Sequence, residues 1–157
     1  MLQLSPRRPV LRRFEERDLP TLAEIWVAAW RETGFAIDFE ARRPWLFERL
    51  HAHLAAGGAI VVGLDADREP AGFITVDPRS GYLDQLCVSP EEKGSGLAAA
   101  LVDEAKRLSP GVVELDANEA NERAIRFYER EGFVFVTRGT SEHSGLPTVR
   151  LRWTAPG

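Results

Sequence analysis

The apolar positions of the chain follow two different periods, which divide it into helical and extended segments. Residues 10–14 are predicted to form a short strand, and a helical stripe of apolar residues comes after it. Asp18 is the expected N-cap of that helix, and Pro20 lies in its first turn, where a missing N–H costs nothing. Gly34 is expected to end the helix. The stripe consists of Leu22, Ile25, Trp26, Ala29 and Trp30.

A second helix begins at Pro44, ends at the glycines of residues 57–58, and leads into a group of strands. Residues 59–64, 71–76 and 82–88 are apolar or alternating and are joined by short turns, which predicts an antiparallel meander. Strict alternation in the last strand predicts two faces, one with Leu83, Gln85 and Cys87 and the other with Tyr82, Asp84, Leu86 and Val88.

Helices and strands alternate in the second half of the chain. Residues 96–108 are predicted to be a helix, and residues 112–115 a strand parallel to the last meander strand, reached by a right-handed crossover. Either Asn118 or Asn121 caps the next helix, which Gly132 ends. Two closing strands are predicted at residues 133–138 and 148–153.

The length and charge of the chain fit that architecture and narrow the classes of function. A chain of 157 residues can bury one ordinary core, and its elements predict a single α+β domain over residues 1–157 with helices on both faces of a mixed, mostly antiparallel sheet. A formal charge of −4 argues against nucleic acid as a partner. Acidic residues lie among the early arginines, which indicates a solvated face rather than a nucleic-acid patch: Arg7, Arg8, Arg12, Arg13 and Arg17.

Cysteine and histidine usage predicts no metal site. Cys87 is the only cysteine, so the chain forms no internal disulfide and no cysteine-based zinc site. His51 and His53 would point to different sides of a helix. The apolar runs are too short to cross a membrane, and the start of the chain lacks a signal-type segment, so we expect a cytoplasmic protein with no membrane partner.

A glycine-rich loop at residues 93–98 joins the last meander strand to the helix after it. The first N–H groups of a helix have no partner inside it and the helix dipole favours negative charge there, so the loop is a candidate phosphate site. A Walker A pattern is absent. The run Gly94-Ser95-Gly96-Leu97-Ala98-Ala99 does match the dinucleotide fingerprint G-x-G-x-x-A, and Asp116 stands where a ribose ligand would, but residues 89–93 separate these glycines from their strand.

The loop gains a more specific interpretation from a second motif. The loop reads Lys93-Gly94-Ser95-Gly96-Leu97-Ala98, and residues 121–133 read Asn-Glu-Arg-Ala-Ile-Arg-Phe-Tyr-Glu-Arg-Glu-Gly-Phe. Together they resemble the GCN5-related N-acetyltransferase (GNAT) superfamily, whose patterns are Gln/Arg-x-x-Gly-x-Gly/Ala and Asn-x-x-Ala-x-x-Phe-Tyr-x-x-x-Gly-Phe. Lys93 departs from the usual Gln or Arg; it keeps the positive charge without the bidentate fork. The resemblance implies a central sheet of about seven strands, in which a bulge in the fourth strand splays it from the fifth and exposes its backbone.

The resemblance also implies a role for each part of the site. The Leu86 amide would stabilise the oxyanion, Val88 would pair with pantetheine, and Tyr128 would protonate the leaving thiolate. Some relatives have a glutamate base at the position of Tyr82, so Asp84 is the substitute candidate; an Asp84–arginine pair and deprotonation through ordered water are the alternatives. The implied contacts to acetyl-CoA are Leu86, Val88, Lys93, Gly94, Ser95, Gly96, Leu97, Ala98, Asn121 and Tyr128.

Three functions remain open on the sequence. The first is an acetyl-CoA-dependent N-acetyltransferase that modifies a primary amine of a small molecule or peptide by direct attack in a ternary complex. The second is a non-catalytic acyl-CoA-binding module on the same fold, and the third is a dinucleotide binder. A ping-pong route through Cys87 lacks a histidine nearby in sequence to activate the thiol. Dimers are common in the family, so a homodimer is the assembly that the resemblance suggests.

The acceptor pocket implied by this fold lies between the first two helices and the loop that joins the last strands, at residues 30–45 and 139–147. Aromatic side chains there would form a wall and acidic ones would attract an amine, although core or surface roles are equally open to them. They are Trp30, Phe35, Phe39 and Trp45, with Asp38, Glu40 and Glu142.

Overall fold

The computed structural model describes residues 9–157, so Arg7 and Arg8 of the predicted arginine face lie outside the described residues. Short 3-10 turns at Glu16–Asp18, Glu40–Arg42 and Pro90–Glu92 connect the longer elements. In chain order these elements are β1 (Val10–Arg13), α1 (Leu19–Arg31), α2 (Arg43–Ala55), β2 (Ala59–Leu64), β3 (Pro70–Val76), β4 (Leu83–Val88), α3 (Leu97–Leu108), β5 (Val112–Asn118), α4 (Glu122–Arg130), β6 (Val134–Thr140) and β7 (Pro147–Thr154).

The seven described strands form two antiparallel sheets that diverge between β4 and β5. The orders are β1-β2-β3-β4 and β5-β7-β6. Tyr82 and Glu114 make the isolated parallel bridge between the sheets, and the Glu114 N–H donates to the Gly81 carbonyl at 2.9 Å. The predicted crossover therefore exists, but its two strands pair at one point only. Among residues 9–157 no strand lies beside the rest of the β4 edge, because the two sheets splay apart there.

A β-bulge in β4 corrects the predicted alternation of this strand. Leu83 pairs with Val76 and Gln85 pairs with Thr75, so Asp84 is an extra residue. The extra residue turns Asp84 and Gln85 to the side of α1 and α2, where each has a polar partner. Leu83 instead packs in the cluster on the α3 side. The prediction that Leu83 and Gln85 share a face, opposite Asp84, is therefore wrong.

The sheet is covered by helices on both sides, as predicted. On one side α3 and α4 pack on the sheet through a cluster that includes Leu97, Leu101 and Tyr128. On the other side α1 and α2 pack through a cluster that includes Trp26 and Leu50. The two clusters sandwich the sheet and fix the position of the gap between β4 and β5.

The hydrogen bonds at the starts of α4 and α1 show which of the predicted N-caps are formed. Asn121 caps α4, since its Oδ1 accepts the Ala124 N–H at 3.2 Å. Asp18 occupies the N-cap position of α1 but makes no capping hydrogen bond there. Its carboxylate instead accepts both Arg12 guanidinium N–H groups at 2.8 Å and the Glu15 N–H at 2.8 Å. The Arg12 hydrogen bonds lower the pKa of Asp18.

Candidate functional site

A cleft of about 600 Å³ occupies the gap between β4 and β5. Side chains from both faces of the sheet line it. Leu115, Asn121 and Tyr128 contribute from the side of α3 and α4, and Trp30 and Trp45 from the side of α1 and α2. A cleft built in this way gives two molecules access to the same point from opposite sides.

The open edge of β4 presents backbone N–H groups to this gap. The Ser89 N–H donates to the Ala71 carbonyl at 2.7 Å and the Gln85 N–H to the Thr75 hydroxyl at 2.9 Å, so both point towards β3. Directions alternate along an antiparallel strand, and the N–H groups of Leu86 and Val88 therefore point the other way, into the splay. Leu86 lines the cleft, while Val88 lies beyond it.

Tyr128 brings a buried phenol to the same cleft. Its side chain is 8% exposed and packs edge-on against Phe127 and Phe133, with ring centroids 5.2 and 5.4 Å away. Its hydroxyl makes no hydrogen bond to another residue among residues 9–157, and the residue lines the cleft. Burial, with a smaller contribution from Cys87, raises the pKa of Tyr128 above its ordinary value, so the phenol stays protonated at neutral pH.

The glycine loop leads into α3 with free donors. Gly94 and Gly96 have φ angles of 80° and 87°, a conformation that other residues rarely adopt. Three amides of the loop are already used within the described chain: Lys93 donates to Pro90 at 3.3 Å, Ser95 to Glu92 at 3.1 Å, and Leu97 to the Ser95 hydroxyl at 3.2 Å. The N–H groups without a protein acceptor in residues 9–157 are those of Gly94, Gly96, Ala98 and Ala99.

The loop lies outside the cleft, on the exposed surface beyond the end of β4. The Lys93 ammonium pairs with the Glu32 carboxylate, and both side chains are about 40% exposed. An ion pair this exposed contributes little and can exchange for another anion. Some of the predicted donors therefore lie in the loop and others in the cleft. A ligand that contacts both groups has to be extended.

A polar cluster surrounds the bulge on the side of α1 and α2. Asp84 accepts the Arg49 Nε–H at 2.8 Å and the Arg49 Nη2–H at 2.7 Å. Arg49 also lies over the Trp45 ring at 5.3 Å, and its Nη1 is 2.7 Å from His143 Nε2. Because Arg49 is always charged, His143 accepts this hydrogen bond. The candidate base Asp84 is thus held by a guanidinium, and its role as a base stays a prediction.

A second network covers β5 and β7 next to the cleft. The Tyr82 hydroxyl donates to Asp116 at 2.8 Å, and Arg150 donates to both Asp116 oxygens, at 3.0 and 2.9 Å. The Arg150 hydrogen bonds lower the pKa of Asp116, while burial raises the pKa of Tyr82. Tyr82 therefore acts as a hydrogen-bond donor to Asp116, and this carboxylate is already engaged.

Part of the predicted acceptor wall lines the cleft. Trp30 stacks on Phe39 with centroids 5.6 Å apart, and Trp45 completes the aromatic surface. Phe35 does not line the cleft, although it packs against Trp30 at 6.3 Å. Of the acidic candidates only Glu142 is at the cleft; Asp38 accepts the Ala41 N–H, and Glu40 pairs with Arg43.

The other chemically reactive side chains lie elsewhere or are inaccessible. Cys87 is 4% exposed, and burial raises the pKa of its thiol to about 12, so almost no thiolate forms at neutral pH. His51 contacts Glu16, and His53 contacts the Ala59 carbonyl. No cluster of three potential metal-binding side chains occurs in residues 9–157. No helix in the same range has the length and apolarity needed to cross a bilayer.

Four residues of the site were not identified from the sequence. Arg49 and His143 were unassigned because their partners are 35 and 94 positions away in the chain, respectively. Thr75 and Gln85 read as ordinary strand residues, since the bulge that makes them polar partners leaves no local signal. The polar residues Thr75 and Gln85 within a mostly apolar meander were the available hint, because buried polar groups need partners.

Comparison with known proteins agrees with this geometry. The family described as Acetyltransferase (GNAT) domain matches residues 40–155. The chain is 32% identical over 136 residues to peptidyl-lysine N-acetyltransferase YjaB of Salmonella typhimurium, which covers 85% of this chain and 91% of that protein.

Solved structures share the fold. Apo YjaB of Escherichia coli superposes with a TM-score of 0.76 at 23% identity, covering 96% of this chain and 100% of the other. The yncA protein of Salmonella typhimurium, whose structure contains its cofactor acetyl-CoA, superposes with a TM-score of 0.64 at 19% identity and covers 96% of each chain.

These matches confirm the predicted splayed fold, and they exclude the dinucleotide-binding interpretation of the glycine loop, which requires a doubly wound parallel sheet. The prediction of an acetyltransferase is confirmed as well: the chain belongs to the GNAT family of N-acetyltransferases.

Proposed function

We propose that this enzyme transfers the acetyl group of acetyl-CoA directly to a primary amine, within a ternary complex, and that the amine is a lysine side chain of a peptide or protein. One observation carries the proposal: Leu86, whose N–H points into the splay, and Tyr128 line the same cleft, which is lined from both faces of the sheet. A donor for the oxyanion and a donor for the leaving group are the two groups that acyl transfer from a thioester needs.

We assign donors to three parts of acetyl-CoA: the pyrophosphate, the pantetheine and the thioester. In this proposal the free N–H groups of Gly94, Gly96 and Ala98, at the start of α3, bind the pyrophosphate. Val88 pairs with pantetheine along the open edge of β4, as an added strand would. Asn121 and Tyr128 line the cleft at the thioester end. The acetyl-CoA found in the yncA structure supports this choice of cosubstrate.

The chemistry then follows from the positions of the donors. The Leu86 N–H stabilises the negative charge that develops on the thioester oxygen when the neutral amine attacks the carbonyl carbon. As the C–S bond breaks, Tyr128 donates its proton to the sulfur and regains one from solvent. The proton of the amine passes to water in the cleft, so Asp84 can remain bound to Arg49 throughout the reaction.

Two observations support a lysine acceptor. The relative from Salmonella typhimurium is named a peptidyl-lysine N-acetyltransferase. On the acceptor side of the cleft, the half-buried Trp30 and Trp45 offer an apolar wall for the alkyl stem of a lysine.

The test is a release assay for the CoA thiol with matched acceptors. A peptide with one internal lysine and a blocked N-terminus is compared with the same peptide carrying Nε-acetyl-lysine, with a peptide whose only amine is its N-terminus, and with a small polyamine. We expect release with the lysine peptide alone, and acetylation of its ε-amine in the mass spectrum. Release only with the polyamine or the N-terminal amine would contradict the lysine assignment, and silence with all would favour an acyl-CoA-binding module.

A mass spectrum of the intact protein separates direct attack from a ping-pong route. With acetyl-CoA and no acceptor, we expect the mass spectrum of the intact protein to stay unchanged, because Cys87 is buried and protonated. An acetylated Cys87 peptide that disappears on addition of the acceptor would establish the ping-pong route instead.

A further inference from the structure

The bulge at Asp84 is held by side chains that come from outside β4. Thr75 on β3 is 1% exposed, and its hydroxyl oxygen accepts the Gln85 N–H at 2.9 Å. The Gln85 side chain is also buried, and its Oε1 accepts the Trp26 indole N–H at 3.2 Å. One residue of the strand is thus fixed at its backbone by β3 and at its side chain by α1.

The position of these contacts matters because of the residue that follows. Leu86 comes directly after Gln85, and its N–H points into the cleft only because the strand regains its regular pairing at this point, with Leu86 opposite Ile74. A bulge is one extra residue in a ladder, and it can slip by a position if nothing specifies where it sits. A slip by one residue would turn the Leu86 N–H away from the gap and towards β3.

We propose that Thr75 is a positioning residue for acyl transfer, and that its hydroxyl, together with the Trp26–Gln85 hydrogen bond, fixes the bulge so that the Leu86 N–H points at the thioester oxygen. The inference rests on the proposed function of the Leu86 amide. Thr75 itself touches neither substrate; it is not among the residues that line the cleft. Its effect passes through the backbone of Gln85.

Packing alone is a weaker explanation for a threonine at this place. Thr75 lies between Ile74 and Val76, which are both fully buried, and valine would fill the same volume without a polar atom. A buried hydroxyl without a partner is costly, whereas this one has a specific backbone partner at the bulge. The hydroxyl is therefore explained by what it binds.

The test compares Thr75→Val, which removes only the hydroxyl at nearly constant volume, with Thr75→Ser, which keeps the hydroxyl. For Thr75→Val we expect kcat to fall about tenfold, less than the loss on removing an oxyanion donor outright, with KM for acetyl-CoA within about threefold of the wild-type value. Thr75→Ser should restore kcat to within about threefold. A folded Thr75→Val enzyme with wild-type kcat would overturn the inference, as would equal losses of kcat in the two variants.

A binding measurement tests the inference without requiring catalytic turnover. The Leu86 N–H reaches the thioester oxygen, which free CoA lacks. Calorimetry should therefore show that Thr75→Val weakens binding of acetyl-CoA about threefold more than binding of CoA. If wild type acetylates no amine, the proposed function fails, and this affinity ratio still decides the role of Thr75: an unchanged ratio refutes it.

If Thr75→Val does not fold, Gln85→Met, which lacks the acceptor for Trp26, is expected to lower kcat in the same way, and a wild-type kcat refutes the inference.

Discussion

Tyr128 has the position and the protonation state that a proton donor in an acyl-transfer site needs. The residue lines the cleft, its hydroxyl has no acceptor among the described residues, and burial raises its pKa. A raised pKa keeps the phenol protonated but makes it a weaker acid than the leaving thiol, whose pKa in water is near 8.5, so the transfer is uphill and is completed as the tyrosinate regains a proton from solvent.

We therefore expect Tyr128→Phe to lower kcat by about 10²-fold, with the Kd for acetyl-CoA within about threefold of wild type. Tyr82→Phe is the matched control, since these are the two tyrosines of the chain and Tyr82 donates to Asp116 instead. Steady-state kinetics and calorimetry measure both effects. Equal losses of kcat in the two variants would remove Tyr128 from the role of general acid.

The same pKa shift sets the expected pH profile. A raised pKa keeps Tyr128 in its protonated, active form above its ordinary ionisation range. The acceptor amine becomes reactive as it loses its proton, so kcat/KM should rise with pH and show no alkaline fall below about pH 10. A descending limb near pH 8 in the wild type, absent in Tyr128→Phe, would show that the phenol ionises in the working range.

Asp84 is bound on both oxygens by Arg49, which favours a structural role over proton abstraction. For Asp84→Asn we expect kcat to fall less than about tenfold and the pH dependence of kcat/KM to keep its shape, whereas loss of a general base costs about 10²-fold or more. Rate measurements from acidic to alkaline pH check this. Loss of the pH dependence together with a large fall in kcat would establish Asp84 as the base.

At the scale of the element, the glycine loop depends on backbone conformation. An ideal Cβ on Gly96 meets nothing within 4 Å, yet its φ of 87° is unfavourable for other residues. We expect Gly96→Ala to lower the free energy of unfolding by about 1–2 kcal/mol and to weaken binding of CoA. Gly111→Ala is the control, since it also has open space but no positive φ, and it should change stability by less than about 0.5 kcal/mol. Denaturant unfolding measures both; equal effects would refute the conformational explanation.

Element boundaries show which features the sequence can predict. Residues 59–64 were predicted as a strand and form β2 with the same ends, because β-branched residues and flanking glycines are local signals. The bulge that the family resemblance implies in the fourth strand is present, but the sequence does not indicate its place at Asp84 because its determinants are not local: Gln85 meets Trp26 59 positions away and Thr75 ten positions away. Asp18 was misassigned for a similar reason, since capping α1 competes with the Arg12 guanidinium, and the stronger charge-assisted hydrogen bonds prevail.

The same difference between local and non-local determinants applies to the residues of the site. Lys93, Gly94 and Gly96 were found from a short motif, and the structure adds which amides of that loop remain free. The pairing of Arg49 with Asp84 and His143 joins three elements that only the folded chain brings together. Site residues that lie within one short segment can be predicted from the sequence, whereas a site assembled from distant segments becomes visible only in the folded structure.

For the whole molecule, a ligand that spans the loop and the cleft should hold the two sheets together. At a CoA concentration 100 times its Kd we expect about 2.7 kcal/mol of added stability, or a rise in Tm of roughly 5–10 °C for a chain of this size. Thermal unfolding with and without CoA measures the shift, and NAD at the same concentration is the control. A shift with NAD and none with CoA would contradict the assignment of the phosphate site.

The splay between β4 and β5 also bears on how products depart. The donors assigned to acetyl-CoA lie towards α3 and α4, and the aromatic wall lies towards α1 and α2. In the proposed reaction, spent CoA and the modified lysine therefore leave by separate exits, and neither blocks the other. A long polypeptide never has to thread through the enzyme, because only one side chain enters, and no obligatory order of release follows from the architecture.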